Sequence, residues 1–213
     1  MGQLERKFRE RKLKQQDVID AAERIFAQKD YATAGIDEIA KEAEFSKKTL
    51  YVYFNSKEQI YFEIALRGYR KFQAILEKKM ATAGPTGSLE KLRLFFNSIV
   101  TLRNDFPVYL EAIIYYEGST LEKLQLGEGV LQKYYQLNAE ILELLKAILV
   151  QGRAEGRFSA EMANEQGAAF VWSCIVGIST LDRTKENYLR AAQHFTAGDF
   201  MLKSFEKMLL LFN

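Results

Sequence analysis

Six side chains within eleven residues carry groups suited to holding a polyanion: Lys47, Lys48, Thr49, Tyr51, Tyr53 and Lys57. Their ammonium groups and hydroxyls match phosphate oxygens and the polar edges of bases, and no carboxylate follows Lys47 until Glu58. A lysine in such a run can donate to guanine O6 and N7 or to a phosphate, and both uses stay open for Lys47 and Lys48. Bond-making chemistry has little to work with. His194 is the only histidine and Cys174 the only thiol, which makes a zinc site an unpromising reading. Gly127 and Gly129 lack the third glycine and the preceding strand of a dinucleotide loop, and no phosphate-binding loop with its lysine occurs. Glu111, Glu117, Glu140 and Glu143 fall on predicted helices, where carboxylates usually face solvent. The expectation is no enzyme, no cofactor and no metal.

The elements that must position this run are short helices. Ile36, Ile39, Ala40 and Ala43 fall at i, i+3, i+4 and i+7, the apolar face of one helix, and Glu44-Phe45-Ser46 interrupts it. Ser46 is a good N-cap for a second helix over residues 47–54, which turns Leu50 and Phe54 inward and leaves the cations and hydroxyls outside. Upstream, Val18, Ala21, Ala22, Ile25 and Phe26 form a stripe that packs across both. Lys29 and Asp30 close that helix, and Tyr31 follows. The pattern is a helix-turn-helix in a three-helix head.

Phe26-Ala27, Ile39-Ala40, Ser46, Thr49-Leu50-Tyr51, Tyr53-Phe54 and Ser56-Lys57-Glu58 stand where TetR-family repressors carry their helix-turn-helix signature, so residues 15–63 resemble that family. The resemblance implies that Lys47, Lys48, Thr49 and Tyr51 reach base edges or nearby phosphates. It also implies that Tyr53 and Lys57 hold phosphates, with Thr33 and Lys41 as further backbone contacts. Two positions depart from the pattern. The usual turn glycine is Glu44, where a left-handed backbone costs a non-glycine residue about 1 kcal/mol. The usual hydroxyl pair before Ile36 is Ala34-Gly35, which leaves Thr33 as the nearest hydroxyl.

The full chain of 213 residues has 48% apolar content, enough to bury a sizeable core, and only Pro85 and Pro107 as prolines, which favours long helices. Ser56 caps a helix running to about residue 80, a rod from the head into a second region. Predicted helices follow from residue 88 to about 104, over 108–116, over about 130–155, over 161–181 and over 199–212. The expected fold is all-α, with a helix-turn-helix head over 1–55 and a helical regulatory and dimerisation domain over 56–213. Residues 161–181 place Ala168, Ala169, Ser173, Gly177 and Ser179 among Val171, Ile175 and Ile178. With the apolar face of 199–212, this reads as either intrachain core or a partner surface; in the resembled family the last two long helices form a four-helix homodimer interface.

The resemblance also implies a small-molecule pocket, lined by aromatics drawn from Phe95, Phe96, Phe106, Tyr109, Tyr116, Tyr134, Phe170 and Trp172, and an apolar or aromatic effector. Net charge is only +2, but residues 1–14 hold six cations against Glu5 and Glu10, which reads as a solvated tail or an arm along the DNA backbone. A lone cysteine excludes an intramolecular disulfide, and no apolar run of about 18 residues occurs. A cytoplasmic protein is expected, with no membrane segment. Two functions compete. One is a ligand-responsive repressor released from a palindromic double-stranded DNA operator; the other is a helical ligand-binding or scaffold protein whose helix-turn-helix is only a structural corner.

Overall fold

The structure is a computed structural model that describes residues 2–120, 126, 128–193 and 199–210. Gly127 and His194, singled out above, and the last two residues of the helix predicted over 199–212 lie outside the described residues. The described chain is helical, with no strand among the described residues: α1 Gln3–Gln28, α2 Ile36–Glu42, α3 Lys47–Tyr53, α4 Lys57–Ala83, α5 Ser88–Asp105, α6 Pro107–Glu117, α7 Glu128–Ala154, α8 Glu165–Thr184, α9 Glu186–Gln193 and α10 Asp199–Leu210. No described helix is long and apolar enough to cross a membrane.

Several helix ends follow from local chemistry. Pro107 opens α6, one residue before the predicted start, because its missing N–H is harmless in a first turn. The start of α8 falls later than its apolar pattern, since Asn164 caps it by accepting the Gly167 amide at 2.9 Å. Gly167 is fixed by a close approach: a Cβ there would stand 2.0 Å from the Met162 carbonyl oxygen. Two elements differ from expectation more deeply. Residues 3–14 are not a tail but the first turns of α1, and α9 occupies a stretch with no predicted helix. Leu189 is its buried anchor.

Packing divides the chain into two compact units. The first is Met1–Gly68 with Pro107–Gly127, so the opening turns of α4 and all of α6 group with the head predicted to end at residue 55. Its core joins Val18, Ala22 and Phe26 of α1 to Ile39 of α2, Leu50 of α3 and Ile60, Ile64 and Ala65 of α4. Arg67 ties α4 to α1 through Asp20 at 2.6 Å and Glu23 at 2.7 Å.

The second unit is Tyr69–Phe106 with Glu128–Asn213. Its core is aromatic. Phe72 meets Phe95 at 4.9 Å, Tyr69 meets Tyr134 at 5.7 Å, and Trp172 lies 6.5 Å from both Tyr69 and Phe95. Phe96 stacks on Phe205 of α10 at 4.7 Å. One buried ion pair joins α5 to α8, between Arg103 and Asp182.

Candidate functional site

The turn before α3 is built from backbone bonds. The Phe45 amide donates to the Ala40 carbonyl at 2.8 Å and the Glu44 amide to the Lys41 carbonyl at 3.0 Å, a paired C-terminal closure that requires a left-handed residue between helix and turn. Glu44 supplies it at φ 59°, the strained non-glycine position expected from the sequence. Ser46 then starts α3, its Oγ accepting the Thr49 amide at 3.0 Å while the two hydroxyls lie 2.8 Å apart. Leu50 and Phe54 are buried, which fixes the rotation of α3 about its axis.

That rotation decides which side chains face out. Lys48 is exposed, and Tyr51 and Val52 keep 45% and 58% of their surface in solvent, large values for apolar-bodied side chains. Val52 carries no polar group that would mark it in the sequence as a contact. Its position four residues after Lys48 was the available signal, and an exposed methyl pair there suits a thymine methyl group. Lys47 pairs with Asp37 at 2.9 Å across two exposed side chains, a solvent-screened contact that a phosphate can displace. Lys41 is exposed, and exposed Thr33 donates its hydroxyl to the Asp30 carbonyl at 3.1 Å.

Lys57 is placed differently from its neighbours. Its ammonium donates to the carbonyls of Tyr31 at 2.7 Å and Ala34 at 2.9 Å and sits 4.4 Å from the centre of the Tyr31 ring. Burial raises the Tyr31 phenol well above its ordinary range, so the ring stays neutral beneath the cation. Two of the three ammonium donors of Lys57 therefore brace the α1–α2 loop against the start of α4. In that loop, the missing hydroxyl pair is compensated by Glu38, whose carboxylate accepts the Gly35 amide at 3.0 Å. Lys29 holds the same carboxylate, and this bond first, then the Gly35 amide, keeps it below the usual carboxylate range.

Tyr53 is half-buried at the end of α3. Its ring lies 5.9 Å from the Arg11 guanidinium, Arg11 donates to the Val52 carbonyl at 3.1 Å, and Gln15 donates to the Tyr53 carbonyl at 3.5 Å. The first turns of α1 are thereby fastened to the carboxyl end of α3.

The eight aromatics expected at a pocket divide between the two units. Tyr109 and Tyr116 belong to the first unit, where Tyr116 is buried, donates to the Glu58 carbonyl at 2.7 Å and packs edge-on against Phe62. Phe95, Phe96, Tyr134 and Trp172 fill the core of the second unit, and Phe170 is 53% exposed on α8. Only Phe106 of the eight borders the open cleft of about 690 Å³ between α4 and α5. Ala74, Ile75 and Leu94 give that cleft an apolar floor, and its charged lining is Lys71, Lys78 and Lys79 against the single carboxylate of Asp105. Lys71 stands 4.1 Å from the Phe106 ring centre. Among the described residues, no three His, Cys, Asp or Glu side chains gather as a metal site.

Residues 18–64, the turn and α3 among them, match the family described as bacterial regulatory proteins, tetR family. This segment is a TetR-family helix-turn-helix head. The HTH-type transcriptional regulator YuxN of Bacillus subtilis (strain 168) is 29% identical over 156 residues, 71% of this chain and 50% of that protein. The matched part thus spans half the length of that relative. The MbdR regulator of Azoarcus sp. CIB shares the TetR-family fold at a TM-score of 0.67, with 20% identity and coverage of 92% of this chain and 97% of the other. FadR of Bacillus subtilis, solved in complex with stearoyl-CoA, does so at 0.62, with 20% identity over 91% and 97%.

Proposed function

We propose that this chain is a DNA-binding transcriptional repressor that docks α3 in the major groove and is released from a palindromic operator by an apolar effector. The observation that carries the reading is the outward surface of α3. Lys48, Tyr51 and Val52 are exposed on a helix whose opposite side is locked by Leu50 and Phe54 and whose first turn is capped by Ser46. Lys47, Thr49 and Lys41 stand beside them as base or phosphate contacts, with Thr33 and Tyr53 on the flanking backbone. Lys57 acts mainly as a positioning residue, with one ammonium donor left for a phosphate. A scaffold with a structural corner has no use for a large exposed tyrosine and valine among lysines.

The effector site of this reading is the α4–α5 cleft rather than the aromatic core. Its apolar floor and three lysines fit an apolar chain ending in an acidic group, a class that includes the stearoyl-CoA bound by FadR. Such a ligand can release DNA only by favouring one arrangement of the heads over another. α4 supplies a continuous helix from cleft residues such as Lys71 to Lys57 at the head. The test is fluorescence anisotropy of a duplex from upstream of the protein's own coding region, titrated with and without stearoyl-CoA. Saturable, salt-sensitive binding weakened by the acyl compound is the expected result. Absence of any DNA complex would favour the scaffold, and a DNA affinity indifferent to stearoyl-CoA would remove this effector class.

Homodimerisation through α8 and α10 completes the proposal, because an isologous dimer presents two heads to two half-sites. Ala168, Val171, Ile175 and Ser179 turn into their own subunit, whereas Ala169, Phe170, Ser173, Gly177 and Leu181 face outward in one stripe. A Cβ at Gly177 would meet nothing within 4 Å in the isolated chain. Gly177→Leu should therefore leave the subunit folded while overpacking a helix pair across the dimer axis, at a cost of about 1–3 kcal/mol. Sedimentation should show dissociation at micromolar concentration with unchanged helicity; a dimer as tight as wild type would place the interface elsewhere.

A further inference from the structure

The first turns of α1 carry a positive surface that neither the helix-turn-helix nor the cleft uses. Arg11 and Gln15 fasten this stretch to the carboxyl end of α3 through the Val52 and Tyr53 carbonyls. At 3.6 residues per turn, Lys7 and Lys14 lie about 40° and 60° around the helix from Arg11, on one side of it. Arg9 and Lys12 lie about 140–160° from both of these lysines, on the opposite side. Lys7 is exposed, and Lys14 keeps 40% of its side chain in solvent even while pairing with Glu10 at 3.4 Å.

A helix held at one end of a recognition helix lies where the wall of the major groove, a row of phosphates, passes. Given the DNA-binding reading on which this rests, we infer that Lys7 and Lys14 are a second set of phosphate contacts, flanking each half-site beyond the reach of α3. Arg11 positions them. The surface is not that of a membrane-lying helix. Leu4 and Phe8 are exposed on the Arg11 side, but Leu13 lies on the other, and Arg11 and Gln15 occupy the positions where an apolar stripe would continue.

The contacts need no base sequence, so a random 30-base-pair duplex is a sufficient probe. Full-length protein, Lys7→Gln/Lys14→Gln and the opposite-side control Arg9→Gln/Lys12→Gln are titrated against it from 50 to 200 mM salt, with circular dichroism confirming equal helicity. Each lost phosphate contact reduces the slope of log affinity against log salt by about 0.9. The Lys7/Lys14 variant should therefore lose about 2 in slope per head, which narrows its affinity change over that range by about tenfold, while the Arg9/Lys12 variant follows wild type. Equal losses in both variants would mean a diffuse field without a contact face, and unchanged slopes in both would overturn the inference. Failure of the wild-type protein to bind the duplex at all would overturn the DNA reading beneath it. Binding of wild type, but not the Lys7/Lys14 variant, to vesicles of anionic phospholipid, with no difference on DNA, would reassign the surface to lipid.

Discussion

Arg103→Ala should lower the stability of the second unit by about 3–5 kcal/mol, a large part of the roughly 5–15 kcal/mol that holds a domain folded. The reason is the position of its partner. Asp182 is only 3% exposed, and the guanidinium of Arg103 is the cation that balances it between α5 and α8. Removing the arginine strands a desolvated carboxylate. The cost comes from the unpaired charge more than from the lost attraction, so adding Asp182→Asn to Arg103→Ala should recover much of it. Urea midpoints of the two single variants and the double variant measure this directly. A single-variant loss below about 1 kcal/mol would show that water reaches Asp182 and that the pair is an ordinary surface contact.

Tyr51→Ala should have the largest effect on DNA among the α3 substitutions. Each base contact of good geometry contributes about 1–3 kcal/mol of discrimination, so operator affinity should fall by roughly 5- to 150-fold while affinity for random duplex changes far less. Folding is spared, because Tyr51 is 45% exposed and the inner side of α3 rests on Leu50 and Phe54. Thr49→Ala is a less clean test. The Thr49 hydroxyl bonds the Ser46 cap at 2.8 Å, so its loss weakens the start of α3 as well as any contact with a base. Comparing Kd on operator and random duplex for Tyr51→Ala, with Tyr51→Phe to isolate the hydroxyl, separates base reading from phosphate holding. Equal losses on both duplexes would remove Tyr51 from base recognition.

The head was legible because its determinants are local. A capping serine, a broken apolar period and two inward residues four apart specify α3 within nine residues, and the left-handed strain at Glu44 follows from the same turn. The first turns of α1 were less legible. Lys, Arg and Glu favour helix without producing an apolar period, so residues 3–14 carry propensity but no pattern. Lys57 shows another limit. Its residue type fits a phosphate contact, and only the folding of the α1–α2 loop brings the Tyr31 and Ala34 carbonyls to its ammonium.

The proposed effector site was the least legible part, for a physical reason. A core aromatic and a cavity-lining aromatic obey the same helical period, and which helices leave a gap depends on contacts far apart in sequence. Phe95 and Phe96 sit on one helix, yet the first packs on Phe72 and the second on Phe205. The cleft instead lies where Ala74, Ile75 and Leu94 leave an apolar floor beside lysines, side chains that a search for aromatics passes over. α8 teaches the same lesson. Small residues adjacent in sequence divide between the subunit's own core, as Ala168 and Ser179 do, and the outward stripe of Ala169, Ser173 and Gly177.

On the proposed reading, two copies of α3 occupy two half-sites of one palindrome. Hydroxyl-radical footprinting of the wild-type protein on the DNA upstream of its own coding region shows whether they do. Two symmetry-related protected segments are expected, with centres about one helical turn, 10–10.5 base pairs, or a whole multiple of it apart. A single unsymmetrical footprint, or none at a protein concentration where sedimentation shows folded dimer, would contradict that reading.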